Sequence, residues 1–364
     1  MKFPNSCSSN QAFFPAMEHR AGIIAIGEVM VVLVSLTSLF WVGSQLLPAV
    51  FGESNAAKLL FRGCSERSVH RLSVDLDGQR MWVYRPHEGV VRLNLSNGDY
   101  EQVLPLSVRD LSALAHSGDG AMTLLCGHDD IMAVTRDGQG VLLGQSSPSR
   151  DVIVDAAVSS DGSLAVCITP EGFVRGCHFE NGEFKEICYQ LNADSWIVRM
   201  RLCKSGRRMC VTQSDGAVTF YDPETGTPEV DGLKFDAPYN AFAWSDDGRF
   251  LAFVDDSGRV QMHDARSLNC IWKTPADPKI LWGFPMAIVF SPDGKWIATS
   301  SNGSTDVLVY AVASSHSARR LQGHEGIVRT LQFAPDSGSL YSGSFDGTIR
   351  EWSTETWMQV RVVD

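Results

Sequence analysis

His324, Ser342 and Asp346 fall within 23 residues of sequence and supply a base, a hydroxyl and an orienting carboxylate. Those are the types a nucleophilic triad needs. The other candidate motifs stop short of a chemistry. His87-Glu88-Gly89 lacks the second histidine that would set two imidazoles on one helical face for zinc. Gly127-His128-Asp129-Asp130 offers metal-ligand types, but it fills a position that carries turn residues elsewhere in the chain. "GDG" ending at Gly120 and "GQG" ending at Gly140 open no helix, so they cradle no phosphate. "GQSSPS" from Gly144 is not the G-x-S-x-G of a nucleophile elbow. No metal ligand, cofactor or small-molecule substrate is expected. What the His324 set does therefore depends on the elements that hold it.

Those elements repeat. "FSPDGKWIATSS" from Phe290 has near-copies at Val74, His116, Val158, Leu202, Trp244 and Phe333. The turn glycines Gly78, Gly120, Gly162, Gly206, Gly248, Gly294 and Gly338 are spaced 42, 42, 44, 42, 46 and 44 apart. A fixed period of this size marks a repeat architecture. A second turn follows each first one, as at Glu88-Gly89, Glu171-Gly172, Asp215-Gly216, Ser257-Gly258 and Asp346-Gly347. Between the turns lie short runs rich in Val, Ile, Phe, Leu and Tyr, which is strand composition at strand length. This reads as about four strands per unit. Radial closure leaves such units only short, protected edges. The expected fold is all-β, a seven-bladed propeller of four-stranded antiparallel blades over 58–364.

The last unit, "LQGHEGIVRTLQFAPDSGSLYSGSFDGTIREWS", resembles a WD-repeat (tryptophan-aspartate repeat). Gly323-His324 precedes its first strand, Asp346 stands in its second turn, and Trp352 closes its third strand; Ser353 replaces the usual Asp. The resemblance implies a buried structural network through Asp346, His324, Ser342 and Trp352, which reassigns the triad look-alike to structure. The other units keep the turns and lose the network. Their Trp position holds Tyr310, His263, Tyr221 and Cys177, and their Ser position is read as Cys126 and Cys167. The resemblance also implies a non-catalytic scaffold for protein–protein interaction. The competing reading, a propeller hydrolase or lactonase with a metal in the central channel, needs Asp, Glu, Asn or His at one depth on the innermost strands. "DAAVSS", "AFAWS" and "AIVFS" are mostly apolar or small.

Net charge is −11, and no cluster of five or more Lys and Arg occurs, so no nucleic-acid partner is expected. The N-terminus differs in kind. From Ala21 to Phe51 the only charge is Glu28, and Val29 to Leu47 is an uncharged run of 19 residues. About 20 helical residues cross a bilayer core. The expectation is an N-terminal tail over 1–20, a single transmembrane helix over 21–47 and a linker over 48–57; a cleaved signal peptide, an apolar helix docked on the propeller and a true start at Met17 are the alternatives. Lys58, Arg62, Arg67 and Arg71 outnumber Lys2 and Arg20, which favours a cytoplasmic propeller on a single-pass membrane protein. Nine cysteines without paired spacing point the same way.

Two expectations concern geometry. "TWMQVRVV" and "KLLFRGC" compete for the outer strand of blade seven, and the C-terminal segment is favoured. A protein partner is expected on the face where the second turns and the loops into the inner strands converge. Trp196, Phe284 and Met286 put large apolar groups there with Arg329 at the rim, the residue types enriched in interface cores and hot spots.

Overall fold

The computed structural model describes residues 69–363 apart from 75–77, 86–88, 103–112, 118–120, 127–129, 136–139, 146–152, 230–231, 237–238, 240, 278–279 and 281–283, together with the strands Gly22–Ile26 and Val29–Leu33. The motifs centred on His87 and His128 lie outside the described residues. The chain falls into two compact units, Met1–Ala57 and Lys58–Asp364.

In the first unit, Gly22–Ile26 and Val29–Leu33 pair antiparallel, with Gly22 opposite Leu33 and Ile26 opposite Val29. These ten residues form strands where a helix was expected, in keeping with the β-branched Ile and Val that fill them. The rest of the expected span lies outside the described residues. Among the described residues no helix is long and apolar enough to cross a membrane.

The second unit holds seven four-stranded sheets, each an antiparallel meander in chain order. Blade one begins at Arg71–Val74 and blade seven ends at Gln359–Val363. The recurring turn is built by the same bonds in blades three, five and six. In blade six, Ser291 Oγ donates to Asp293 Oδ1 at 2.6 Å, and the Lys295 and Trp296 amides donate to Asp293 Oδ1 and Ser291 Oγ at 3.1 and 2.9 Å. Ser159 with Asp161, and Ser245 with Asp247, repeat the pattern. Burial pushes these three carboxyls up, but the hydroxyl and amide donors outweigh it and hold them below the usual carboxylate range.

Blade seven departs from the expected register. Ser337, not Gly338, occupies the left-handed position, at φ +62°, and its amide bonds Ala334 O at 2.9 Å as Gly294 bonds Ser291 O. The serine hydroxyl accepts the Asp293 amide at 3.0 Å, which links blades six and seven through the strained residue.

Period-two alternation sends successive side chains to opposite faces of each blade. In blade six, Ile297, Leu308 and Tyr310 pack with blade five, while Ala298, Val307 and Val309 pack with blade seven. The buried apolar residues accordingly divide into clusters that sit between neighbouring blades. One of them joins Val69, Leu72 and Met81 of blade one to Tyr341, Ile349 and Val363 of blade seven, so the ring closes. The Val69 amide bonds Ser344 O at 2.9 Å across this seam. The outer strand of blade seven is the C-terminal Gln359–Val363, paired with Ile349–Ser353 as expected. The rival segment at Leu59 to Arg62 lies outside the described residues.

Candidate functional site

The blade-seven network is a single hydrogen-bonded chain. His324 precedes the strand Val328–Phe333, Ser342 lies on Ser339–Ser344, Asp346 follows in the turn, and Trp352 lies on Ile349–Ser353. Trp352 Nε1 donates to Ser342 Oγ at 2.8 Å, Ser342 Oγ meets His324 Nε2 at 2.8 Å, and His324 Nδ1 meets Asp346 Oδ2 at 2.8 Å. One assignment uses every group once: the indole donates to the hydroxyl, the hydroxyl to Nε2, and Nδ1–H to the carboxylate. The Glu325 amide and the Thr348 amide and hydroxyl also donate to Asp346. Burial pushes the Asp346 carboxyl up, yet the His324 hydrogen bond and charge and the Thr348 donors hold it well below the usual carboxylate range.

This geometry opposes catalysis. Ser342 is 0 % exposed, and its hydroxyl is engaged by both Trp352 and His324. No substrate carbonyl can reach the oxygen, and the base is spent inside the network. Among the described residues, no group of three or more His, Cys, Asp and Glu is placed to hold a metal ion.

In blades four and five the groups at the tryptophan position bond elsewhere. Tyr221 and His263 bond the backbone oxygens of Asn192 and Leu268. The second-turn aspartates keep a cationic partner of another kind, Lys234 on Asp215 and Arg320 on Asp306. Counting from each first turn, the position of Ser342 is held by Cys167 in blade three and by Leu125 in blade two. Cys126 lies one residue further on, so its reading as the serine equivalent is corrected. Sequence reasoning also passed over Asp155, the first residue of "DAAVSS". It is 5 % exposed, accepts the Met200 amide at 3.2 Å and pairs with Arg201, tying blade three to blade four. Its signal was a lone acid on an inner strand with Arg199 and Arg201 on the next one.

The four rim residues separate. Trp196, Phe284 and Ile327 are equivalent, since each offers its carbonyl to the amide that follows the second strand: Ser214 at 2.8 Å, Asn302 at 3.0 Å and Phe345 at 3.0 Å. In the same three blades a bulge sits two residues on, and the extra residues are Val198, Met286 and Arg329. A bulge re-aims its side chain. Phe284 and Met286 are half-buried, and Arg329 is half-buried with its guanidinium 5.6 Å from the Phe345 ring centre. Trp196 is 51 % exposed. Of the four, Trp196 alone offers most of a large apolar side chain to a partner.

Comparison with known proteins bears on the repeats. The model of the WD domain, G-beta repeat, matches residues 283–306 and 315–353. The chain is 45 % identical over 62 residues, 17 % of its length, to a periodic tryptophan protein 2 homolog of Neurospora crassa, and spans 7 % of that protein. It is 28 % identical over 144 residues to WD repeat-containing protein 82 of Drosophila melanogaster, which covers 38 % of this chain and 44 % of that one. Eukaryotic translation initiation factor 3 subunit I of Drosophila melanogaster is 22 % identical over 311 residues, 80 % of this chain and 89 % of its own. The β-propeller domain of Myceliophteria thermophila Cps50 (Swd1) superposes with a TM-score of 0.65 at 15 % identity, over 79 % of this chain and 97 % of that one. With seven four-stranded blades closed into a ring, the chain is a seven-bladed β-propeller, and its sixth and seventh blades match the WD domain, G-beta repeat, the seventh with the complete network.

Proposed function

We propose that this propeller is a non-catalytic scaffold that holds a protein partner on the rim of the second turns, with Trp196 as its main contact. The observation that carries this reading is the 51 % exposure of Trp196, at a position where the corresponding Phe284 is half-buried and Ile327 is buried. Exposed aromatic anchors are the residues whose truncation costs a complex most. The sealed Ser342 supports the non-catalytic half of the reading. Quantitative co-purification from solubilised cells tests it. The Trp196→Ala protein is expected to lose at least 90 % of its principal partner with an unchanged melting temperature; full retention of every partner would contradict the proposal.

The same proposal places the scaffold at a membrane, with the propeller on the cytoplasmic side. The uncharged run Val29 to Leu47 and the basic residues after it support this. The full-length chain should stay in the pellet when membranes are washed with alkaline carbonate. Release of the unprocessed chain into the supernatant would count against a tether.

A further inference from the structure

We infer that the segment docked at Trp196, granted the scaffold role proposed above, carries arginine. Four stretches of chain meet at the head of blade four, where Trp196 stands. The Ile197 amide bonds Pro170 O at 2.7 Å, which brings the second turn of blade three beside the head of blade four. Ser195 bonds Gln213 Oε1, next to the turn at Asp215. The Phe235 amide bonds Gly216 O at 2.9 Å, which adds the end of the outer strand of blade four. The carboxylates on these stretches are Glu171, Asp194, Asp215 and Asp236, all exposed, and the one basic residue among them is Lys234. Lys234 is itself set on Asp215 at 2.5 Å, and that ion pair, with the Ala217 amide, holds the Asp215 carboxyl down to about 2. The chain thus already rests one cation on this rim and leaves Glu171, Asp194 and Asp236 exposed on the stretches beside the exposed Trp196.

An exposed indole attracts a cation over its ring, and flanking carboxylates add to that attraction. Guanidinium fits such a place better than ammonium. It is planar, sheds water more readily, stacks on an aromatic face and offers paired N–H groups to a carboxylate. An acidic segment would meet like charge on every side, and a purely apolar one would leave the carboxylates facing a dry contact. The net charge of −11 steers the same kind of partner towards the molecule as a whole.

The test uses the full-length chain and three fluorescein-labelled heptapeptides, glycine alternating with arginine, lysine or glutamate, followed by fluorescence anisotropy. The arginine peptide should bind most tightly, and raising salt from 0.05 to 0.5 M should weaken it by about ten-fold or more. Trp196→Ala should weaken it by at least about ten-fold. Asp194→Asn combined with Asp236→Asn should weaken it by about five-fold and flatten the salt dependence. Equal binding of the glutamate peptide, or unchanged arginine-peptide binding by Trp196→Ala, overturns the inference. If the arginine peptide fails to bind while Trp196→Ala still abolishes partner co-purification, arginine recognition falls and the docking site stands. If neither readout responds to Trp196→Ala, both fall.

Discussion

His324 joins the Asp346 carboxylate to the Ser342 hydroxyl. Replacing it by alanine leaves Ser342 and Asp346 without their ring partner in a buried setting. An unsatisfied buried polar group costs about 1–3 kcal/mol. His324→Ala should therefore lower stability by that amount in a denaturant titration, while partner binding measured well below the melting temperature stays normal. Loss of binding at unchanged stability would move His324 from structure to function. A pH dependence follows from the same contacts. The Asp346 carboxyl is held below its unfolded value, so its contribution is fully present above that unfolded value and is lost as pH falls towards the lower folded one. His324→Ala removes the leading opposing contribution to burial, so the variant should lose less of its remaining stability between pH 5 and pH 2 than the parent does. The network was legible because four residue types stood at fixed distances from two turns. Ser337 was not, because Gly338 beside it looked like the turn residue, and only backbone geometry shows that serine takes the left-handed place. Trp196 was legible as an apolar residue at a rim position, but its exposure against the half-burial of Phe284 depends on the loops around each, which no single position encodes.

The turns are the elements that wrote the fold into the sequence. Ser-x-Asp-Gly forms a self-contained set of bonds, so each copy announces a strand end wherever it stands. The bulges at Val198, Met286 and Arg329 left no comparable mark, because a bulge is a property of register between two strands. The left-handed glycines separate two causes of strain. Gly294 is at φ +68° with nothing within 4 Å of where a Cβ would stand, so Gly294→Ala should cost only backbone strain, about 1 kcal/mol. Gly206 is at φ +72°, and a Cβ there would come within 2.9 Å of the Ser159 Cβ in the neighbouring blade. Gly206→Ala should therefore be the more destabilising of the two in paired thermal melts. The reverse order would show that the blade three to blade four seam yields more easily than its packing implies.

At the scale of the propeller, the described residues close the ring with each end completing its own blade. The C-terminal strand completes its own blade, and the seam with blade one is held by apolar packing with a few bonds such as Leu72 N to Thr330 Oγ1 at 3.3 Å. Gly343 faces that seam, where a Cβ would meet Val69 Cγ1 at 2.6 Å and Thr330 Cγ2 at 2.8 Å. Gly343→Ala should overpack it at a cost of about 1–3 kcal/mol. Hydrogen exchange should then rise first in the strands Arg71–Val74 and Val328–Phe333; a uniform rise across all blades would argue that the seam is not the weak point. Seven blades were legible from period alone, whereas the N-terminal strands were not, because a run of apolar residues suits a helix and a strand alike. The closed ring is proposed to meet its partner at one rim, that of the second turns. A photo-reactive phenylalanine analogue placed at Trp196, and separately at Lys295 on the turns of the opposite rim, tests it most directly. Cross-linked partner is expected from position 196 and none from 295. Cross-links from 295 alone would contradict it.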